Sequence, residues 1–329
     1  MDINETPGMA VMGLGVVGRR MIEQVALHRG WRIASAYDAD PAVRAALQKD
    51  HPGCNVVDNA AAAMAHPGVD LVYVAVPPLF HHELVLQAIA AGRAVLCEKP
   101  LGIDVSQSQR LAQAMNQSGL PQAVNFVFSS SDAVDRLAQG LQAPDFDLRS
   151  IEIRLHFKEW PRDWQRGAAW LTQANQGGFV REVLSHFIYL LIRLRGPVRL
   201  CGTQVLSPVA GAAEISAQAL LDAAGVPVSV SGVVGGSGPD VVEARFIGAS
   251  QAYVLSDWYH LMHHDAHHPQ GQKVQGLPES PRVATYQRQL NQLLSLLKAQ
   301  PHSLASFDTA LAVQVLIEAV LAQRQISDF

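Results

Sequence analysis

The sequence predicts an α/β protein: an N-terminal doubly wound parallel sheet, followed by an α+β domain with an open, mostly antiparallel sheet. Three observations support this fold class. Short apolar runs alternate with helical segments over the first third of the chain. A glycine-rich turn, Gly13 to Gly18, joins the first run to the first helix. Beyond about residue 125, strand-like runs follow one another closely, as in antiparallel sheets. We therefore expect two domains, residues 1–124 and 125–329.

The elements of the first domain follow from apolar runs and from helix start and stop signals. Leu71 opens a continuous apolar run before Pro77, which is typical of a parallel strand buried on both faces. Asp104 and Gln107 have the spacing of a capping box, and Gly119 ends the helix they begin. The predicted strands are residues 9–12, 31–37, 55–57, 71–76, 94–97 and 124–128. The main predicted helices are the one beyond the glycine turn, which runs to about residue 28, and residues 81–91 and 104–118.

The second domain shows alternation of period two instead. Ile151, Ile153 and Leu155 alternate with charged residues, as in a strand with one face in water. The further predicted strands are residues 198–206, 214–221, 226–234, 241–247 and 252–255. The predicted helices are residues 178–195, 282–299 and 307–324.

The glycine turn indicates a dinucleotide-binding site. It reads Gly13-Leu14-Gly15-Val16-Val17-Gly18 between a strand and a helix, and Asp38 follows 20 positions after Gly18. Gly13 permits the tight turn, Gly15 lets the backbone approach a pyrophosphate, and Gly18 permits close helix–strand packing. Asp38 is placed to accept hydrogen bonds from ribose hydroxyls and would repel a 2′-phosphate. We therefore expect NAD in preference to NADP.

Composition excludes several other classes of function. The 329 residues carry a net charge of −4, so no electrostatic footprint for nucleic acid or an anionic membrane is present. No stretch approaches the roughly 20 apolar residues that span a bilayer. The polar start shows no secretory signal, and three widely spaced cysteines suit a reducing compartment. We expect a cytoplasmic protein without a nucleic-acid or membrane partner.

Two further segments carry candidate catalytic residues. Glu98-Lys99-Pro100 follows a strand at the carboxyl edge of the parallel sheet, where open α/β folds bind ligands. A lysine there can hydrogen-bond the reacting oxygen of a substrate. Farther on, Gly177-Gly178 precedes Glu182 and His186, which stand at i and i+4 and face the same way on a helix.

These motifs together resemble the Gfo/Idh/MocA family of glucose–fructose oxidoreductase and inositol dehydrogenase-like enzymes. Four segments carry the resemblance: GLGVVG at residues 13–18, the acidic end of the second strand at Asp38, CEKP at residues 97–100, and the GG…E…H segment from Gly177 to His186. The resemblance implies an NAD(P)-dependent dehydrogenase or reductase acting on a secondary alcohol or ketone of a sugar, cyclitol or related polyol. It implies that Lys99 polarises the reacting oxygen, and that His186, oriented by Glu182, exchanges the proton. It also implies a homodimer or homotetramer.

The predicted site consists of catalytic, substrate-binding and cofactor-binding residues. The predicted catalytic residues are Lys99, Glu182 and His186, which are also predicted to bind substrate together with Trp164. The predicted cofactor-binding residues are Gly13, Gly15, Val16, Val17, Gly18, Asp38, Val76, Pro77, Glu98 and Lys99. Tryptophans such as Trp164 pack well on sugar C–H surfaces, although a hydrophobic lid or dimer contact explains them equally. No metal is expected: the histidines from His260 to His268 match no closed metal site and are expected in a solvent-exposed or pocket-rim loop.

Two alternatives stay open. The family usually has Asp where Glu182 stands, and this departure leaves room for a non-catalytic dinucleotide-binding regulator. Some relatives use NAD transiently in a redox-neutral cleavage of glycosides. The regulator predicts NAD binding without a change of redox state, whereas the redox-neutral enzyme predicts bound cofactor that is not consumed.

Overall fold

The computed structural model describes residues 6–326. Residues 1–5, part of the polar start discussed above, and residues 327–329 lie outside the described residues. The helices are α1 (Val16–Ala26), α2 (Pro41–Asp50), α3 (Ala60–Ala65), α4 (His81–Ala90), α5 (Val105–Ser118), α6 (Asp132–Leu141), α7 (Ser185–Arg195), α8 (Pro281–Leu297) and α9 (Phe307–Leu321). The strands are β1 (Gly8–Met12), β2 (Arg32–Tyr37), β3 (Leu71–Val74), β4 (Ala94–Glu98), β5 (Gln122–Asn125), β6 (Leu148–Phe157), β7 (Val198–Ser207), β8 (Ser216–Ala223), β9 (Val226–Val234), β10 (Val241–Gly248), β11 (Ala252–Ser256), β12 (His260–His264), β13 (Gln272–Lys273) and β14 (Arg324–Ile326).

The chain divides into two compact units. Unit 1 runs to Ser130 and also contains Val283–Leu311, while unit 2 consists of Ser131–Arg282 and Ala312–Phe329. The boundary predicted at residues 124 and 125 therefore falls six residues before the division at Ser130. A single boundary also misses the return of residues 283–311 to unit 1. These residues return because apolar side chains of α8 complete the core of unit 1.

Unit 1 is a parallel sheet of five strands in the order β2-β1-β3-β4-β5. Its strands β1 and β3 are buried along their whole length, which agrees with their continuous apolar sequence. On the α8 side, Leu290 and Leu293 are fully buried in the same core as Met9 and Leu71. The indole N–H of Trp31 donates to the carbonyl of Leu290 at 2.8 Å. The predicted doubly wound parallel fold is confirmed.

Two predicted strands of unit 1 differ from the structure. Residues 55–57 form no strand; Val56 makes a single bridge to Ala36 beside β2. Within residues 6–326, only two backbone hydrogen bonds join this segment to β2, from Ala36 N–H to the Asn55 carbonyl and from Val57 N–H to the Ala36 carbonyl. The run predicted at 124–128 ends as a strand at Asn125, and residues 127–129 form a 3-10 turn instead.

Unit 2 contains a nine-stranded sheet in the order β13-β12-β11-β10-β6-β9-β8-β7-β14. All neighbouring pairs are antiparallel except β6 with β9 and β7 with β14. Buried and exposed residues alternate along β6 and β9, so one face of the sheet is covered and the other meets solvent. The predicted open, mostly antiparallel sheet is confirmed.

The histidine-rich segment is a strand rather than the expected loop. His260–His264 form β12, which pairs with β11, and only the histidines at 267 and 268 lie in the following turn. The sequence pattern hid this strand because polar imidazoles occupy positions on both of its faces. Within residues 6–326 no group of three or more His, Cys, Asp or Glu side chains is arranged to hold a metal ion.

Candidate functional site

The glycine turn of unit 1 has room for a ligand at one position. Gly13 has a φ of +99°, and a Cβ there would lie 2.6 Å from the Ala75 carbonyl oxygen. A Cβ on Gly18 would lie 1.9 Å from the carbonyl oxygen of Gly13, so helix α1 and the turn pack too closely for any side chain. A Cβ on Gly15 would meet nothing within 4 Å. Gly13 and Gly18 thus serve the fold, whereas Gly15 borders open space at the N-terminus of α1, where helices bind phosphates.

Asp38 is tied to this turn. Its Oδ2 accepts a hydrogen bond from the backbone N–H of Leu14 at 2.8 Å, and its Oδ1 accepts one from Asp40 N–H at 2.9 Å. Asp40 caps helix α2 by accepting from Ala42 N–H. The carboxylate of Asp38 is therefore held beside the glycine turn in one orientation.

An arginine that sequence reasoning missed lies next to Asp38. The Nη1 of Arg44 donates to the carbonyl oxygen of Asp38 at 2.7 Å and to that of Ala39 at 3.2 Å. No arginine follows Asp38 directly in the sequence, but the first turn of α2 brings Arg44 back to it. An i+4 spacing from the cap residue Asp40 is the signal that could have revealed it.

His81 connects two loops at the carboxyl ends of β3 and β4. It is fully buried, and its ring nitrogens lie 2.8 Å from the carbonyl oxygen of Val76 and 2.9 Å from that of Pro100. Burial lowers the pKa of His81 to about 4, although these carbonyls favour the protonated ring; the positive charge of Lys99 lowers it further. The half-buried Lys99 precedes Pro100 through a cis peptide bond.

Glu98 is held by residues of β3 and β5, and the β5 residue is held in turn by α8. Its Oε1 accepts hydrogen bonds from the hydroxyl of Tyr73 at 2.5 Å and from the side-chain amide of Asn125 at 2.6 Å. The Oδ1 of Asn125 in turn accepts from Gln289 of α8 at 2.6 Å. Burial raises the pKa of Tyr73 well above its usual value, and the charge of Glu98 adds to this effect. The predicted cofactor residue Glu98 therefore lies in a fixed polar network within unit 1.

In unit 2, the segment that carries Glu182 and His186 begins as a π-helical turn. Val180–Leu184 is a π-helix that continues into α7, whereas the sequence predicts one α-helix from residue 178. Short π-helical turns inside α-helices are frequent at functional sites. Glu182 is half-buried and His186 is only 9% exposed.

Buried charges anchor this turn. The carboxylate of the fully buried Glu214 accepts from Val180 N–H at 2.8 Å and from Arg324 at 3.1 Å. Arg181 makes a two-pronged ion pair with Glu318 at 2.6 and 2.7 Å. Burial raises the pKa of Glu214 even though these donors favour its charged form. Sequence reasoning missed Glu214, because an isolated acid at the start of a strand carries no motif.

The surroundings of Glu182 and His186 include aromatic and cationic groups. The indole of Trp258 packs edge-on against the His186 ring, with centroids 5.2 Å apart and an angle of 88° between the planes. Burial lowers the pKa of Arg162, and the negative charge of Glu182 opposes this effect. The Arg162 guanidinium lies 5.0 Å from the ring centroid of Trp164, which is 49% exposed.

Each unit therefore gathers one set of predicted residues. Unit 1 brings together the glycine turn, Asp38, the Val76–Pro77 loop and Glu98-Lys99 at the carboxyl edge of the parallel sheet. Unit 2 contains Trp164, Glu182 and His186.

Comparison with known proteins agrees with the resemblance seen in the motifs. Residues 8–126 match the model of the GFO_IDH_MocA oxidoreductase family with its NAD-binding Rossmann fold. Through this region the chain is similar to the Gfo/Idh/MocA family. An inositol 2-dehydrogenase of Corynebacterium glutamicum is 34% identical over 106 residues, which are 32% of each chain. A protein of Amycolatopsis mediterranei described as a putative UDP-kanosamine synthase oxidoreductase subunit is 31% identical over 205 residues.

The matched regions cover only part of these relatives. The second alignment spans 60% of this chain and 53% of the Amycolatopsis protein, and the first spans about a third of its relative. Solved structures are similar over nearly the whole chain. The 3-ketoreductase KijD10 of Actinomadura kijaniata, bound to NADP and TDP-benzene, has a TM-score of 0.82 at 19% identity and covers 98% of this chain and 99% of its own.

A second solved structure agrees in fold as well. An oxidoreductase of Agrobacterium radiobacter in complex with NAD⁺, L-tartaric acid and magnesium also has a TM-score of 0.82, at 17% identity, with 97% of this chain and 96% of that chain covered. At such identities the likeness concerns the fold alone. Within residues 6–326, every helix is too short or too polar to traverse a lipid bilayer.

Proposed function

We propose that this chain is an NAD(P)-dependent oxidoreductase that transfers a hydride between the nicotinamide and a secondary alcohol or ketone of a sugar, cyclitol or related polyol. The observation that carries the proposal lies in unit 1. The open face of Gly15, the anchored Asp38 and the half-buried Lys99 belong to loops at one edge of the parallel sheet. Ligands of open α/β sheets bind at this edge.

The glycine turn fits a dinucleotide. The absent Cβ of Gly15 leaves space for the pyrophosphate. The backbone N–H groups at the start of α1 can donate hydrogen bonds to its anionic oxygens. Val16 and Val17 begin that helix, while Val76 and Pro77 form the loop after β3. When bound, the nicotinamide supplies the group that accepts or donates the hydride.

We propose NAD as the preferred cofactor. The carboxylate of Asp38 has lone pairs beyond those used by the Leu14 and Asp40 amides, and these can accept from the ribose hydroxyls. Its charge opposes a 2′-phosphate. Arg44, which lies at the carbonyl of Asp38, reduces this opposition, so we expect NADP to bind more weakly rather than not at all.

The proton chemistry is assigned to Lys99 and His186. The Lys99 ammonium donates a hydrogen bond to the reacting oxygen, which stabilises the negative charge that develops there during hydride transfer. The His186 imidazole gives or takes the proton, and the Glu182 carboxylate orients it. Glu98 keeps the Lys99 turn in place through its bonds to Tyr73 and Asn125.

The substrate class follows from the same proposal. A polyol presents C–H faces and hydroxyls, and the exposed indole of Trp164 offers a flat apolar surface for the former. Glu182 can accept from hydroxyl groups in addition to orienting His186. We assign Trp164 and Glu182, with Lys99 and His186, to substrate binding.

The experiment is a turnover assay with a cofactor-binding assay beside it. Purified protein is mixed with NAD or NADP and a panel of sugars, inositols and polyols, and the absorbance of reduced nicotinamide is followed. Lys99→Ala is compared with Lys158→Ala. Lys158 is an exposed lysine directly after the end of β6. We expect turnover that Lys99→Ala lowers by at least about a hundredfold and Lys158→Ala leaves unchanged.

Two other outcomes contradict the proposal. Binding of NADH without turnover of any substrate or change in redox state would favour the dinucleotide-binding regulator. Cofactor that remains bound and is not consumed while a glycoside is cleaved would favour the redox-neutral enzyme. Turnover that survives in Lys99→Ala would retain the dehydrogenase and remove Lys99 from its chemistry.

A further inference from the structure

The hairpin between β11 and β12 turns through two residues with left-handed backbone conformation. Asp257 has a φ of 47° and Trp258 a φ of 70°. Tyr259 N–H donates to the Ser256 carbonyl at 3.2 Å and closes the turn. Positive φ at both central positions is the pattern of a type I′ turn, which favours Asn and Gly. Trp in this conformation is a genuine outlier and costs free energy.

Few other residues in the described chain share this conformation. Within residues 6–326, the other non-glycine residues with positive φ are Ala224 and Ala299, both of which are small. Ala224 also belongs to a hairpin turn, next to Gly225, so β8 and β9 use the residue types that such turns prefer. Trp258 is the exception in size. The contacts of the Trp258 side chain are therefore the place to seek the reason for a large residue in this strained turn.

The indole of Trp258 contacts two neighbouring aromatic rings of α7 in unit 2, those of His186 and Phe187. Its ring is perpendicular to that of His186, with centroids 5.2 Å apart, and tilted by 35° to that of Phe187 at 6.1 Å. Edge-to-face contacts of this kind favour one relative orientation of two rings. The turn itself is held in place, because Asp257 N–H donates to the carbonyl of Val242 in β10 at 2.9 Å.

Burial of Phe187 alone does not account for this arrangement. Phe187 is 1% exposed within the apolar face of α7, and an apolar side chain without a flat ring could cover it equally well. The aromatic edge against His186 needs a flat ring at this position. Strained residues persist where the surrounding structure holds them, and they cluster at functional sites.

We propose that Trp258 is a positioning residue for His186: its indole holds the imidazole in the one orientation that proton exchange requires. The chemical part of this inference rests on the proposed function, which gives His186 a proton to exchange. The positional part does not, because the order of an imidazole ring can be measured without a substrate.

The test compares three substitutions in otherwise intact protein labelled with ¹³C at histidine Cε1. Trp258→Leu removes the ring, and Trp258→Phe retains one. Tyr253→Leu is the matched control, because Tyr253 lies on the same hairpin and stacks on a different histidine, His263, at 4.6 Å. The resonance of His186 is the one that disappears in His186→Gln. Should Trp258→Leu not fold, Trp258→Met takes its place.

We expect one sharp His186 resonance in the wild type, Trp258→Phe and Tyr253→Leu, and a broadened or divided one in Trp258→Leu. With a substrate found by the turnover assay, Trp258→Leu lowers kcat about tenfold with the KM for the cofactor unchanged, and Trp258→Phe restores kcat to within about twofold. A single sharp His186 resonance in Trp258→Leu overturns the proposal. A panel without turnover contradicts the proposed function, and the resonances still decide the position of the ring.

Discussion

The carboxylate of Glu214 occupies the space that a side chain on Gly178 would need. A Cβ on Gly178 would lie 2.3 Å from both carboxylate oxygens, and Gly178 has a φ of +96°. The same carboxylate accepts from Val180 N–H at 2.8 Å, at the start of the turn that carries Glu182. The Gly177-Gly178 pair therefore has a physical reason in unit 2: the chain passes directly over a buried acid that holds the next turn.

The first prediction follows from this contact. Gly178→Ala should lower the free energy of unfolding by about 3 kcal/mol, because it combines a left-handed alanine with overlap of the Glu214 carboxylate. Gly211→Ala is the matched control: Gly211 has a φ of +82°, but a Cβ there meets nothing within 4 Å. The control should lose about 1 kcal/mol, the conformational part alone. Urea unfolding measures the stability of both variants. Equal losses of stability would show that the Glu214 carboxylate moves aside for the alanine methyl group.

The second prediction separates the two roles of the glycine turn. Gly15→Ala should weaken NADH binding at least about tenfold, because its methyl group enters the space proposed for the pyrophosphate. It should cost about 0.5 kcal/mol of stability, since alanine is a poorer helix cap than glycine. Gly18→Ala should instead cost about 3 kcal/mol, because its Cβ would lie 1.9 Å from the Gly13 carbonyl oxygen.

The measurements are NADH fluorescence titration and chemical denaturation of the same preparations. Unchanged NADH affinity in a folded Gly15→Ala protein would place the cofactor elsewhere.

The third prediction concerns the choice of cofactor at Asp38. Asp38→Ser removes the negative charge that repels a 2′-phosphate, so the affinity for NADPH relative to NADH should rise about tenfold. Arg44 should contribute to this gain because it lies at the Asp38 carbonyl. Adding Arg44→Ala should therefore reverse most of it. Asp40→Ala, which removes only the cap of α2, should cost about 1 kcal/mol of stability and leave the ratio of affinities unchanged.

Titration with both reduced cofactors tests this assignment. If Asp38→Ser and the wild type discriminate equally, Asp38 does not face the adenosine ribose.

The fourth prediction is a pH dependence of stability from His81. Burial lowers its pKa from 6.5 to about 4, so the unfolded chain binds this proton more readily than the folded protein. Stability from the neutral ring is complete above pH 6.5 and should be lost as the pH falls toward about 4. A shift of this size corresponds to at most about 3 kcal/mol.

His81→Gln should remove this part of the pH dependence, while His82→Gln, the neighbouring histidine, should retain it. Urea unfolding between pH 7.5 and pH 4.5 provides the comparison. Parallel stability curves for the wild type and His81→Gln would show that folding leaves the pKa of His81 unshifted.

Local sequence patterns predicted most of the fold correctly. The glycine turn, the cap at Asp40 and the alternation in β6 are properties of neighbouring residues, so they could be read without a structure. Predictions failed where distant residues decide. Residues 55–57 were predicted as a strand, but only one bridge forms there. The histidines of β12 were predicted in a loop, but pairing with β11 makes them a strand.

Short-range sequence patterns predicted the fold class, the resemblance to the Gfo/Idh/MocA family, the glycine turn and the candidate residues Lys99, Glu182 and His186, because each depends on residue types at fixed short spacings. Only the tertiary structure decided what holds these residues. Glu98 accepts from Tyr73 and Asn125, Asn125 accepts from Gln289, and Glu214 reaches back to the turn after Gly178, over separations of 25 to 164 positions along the chain. Such contacts form where strands and helices meet in space, and no local pattern of charge or hydrophobicity records which distant side chain arrives there.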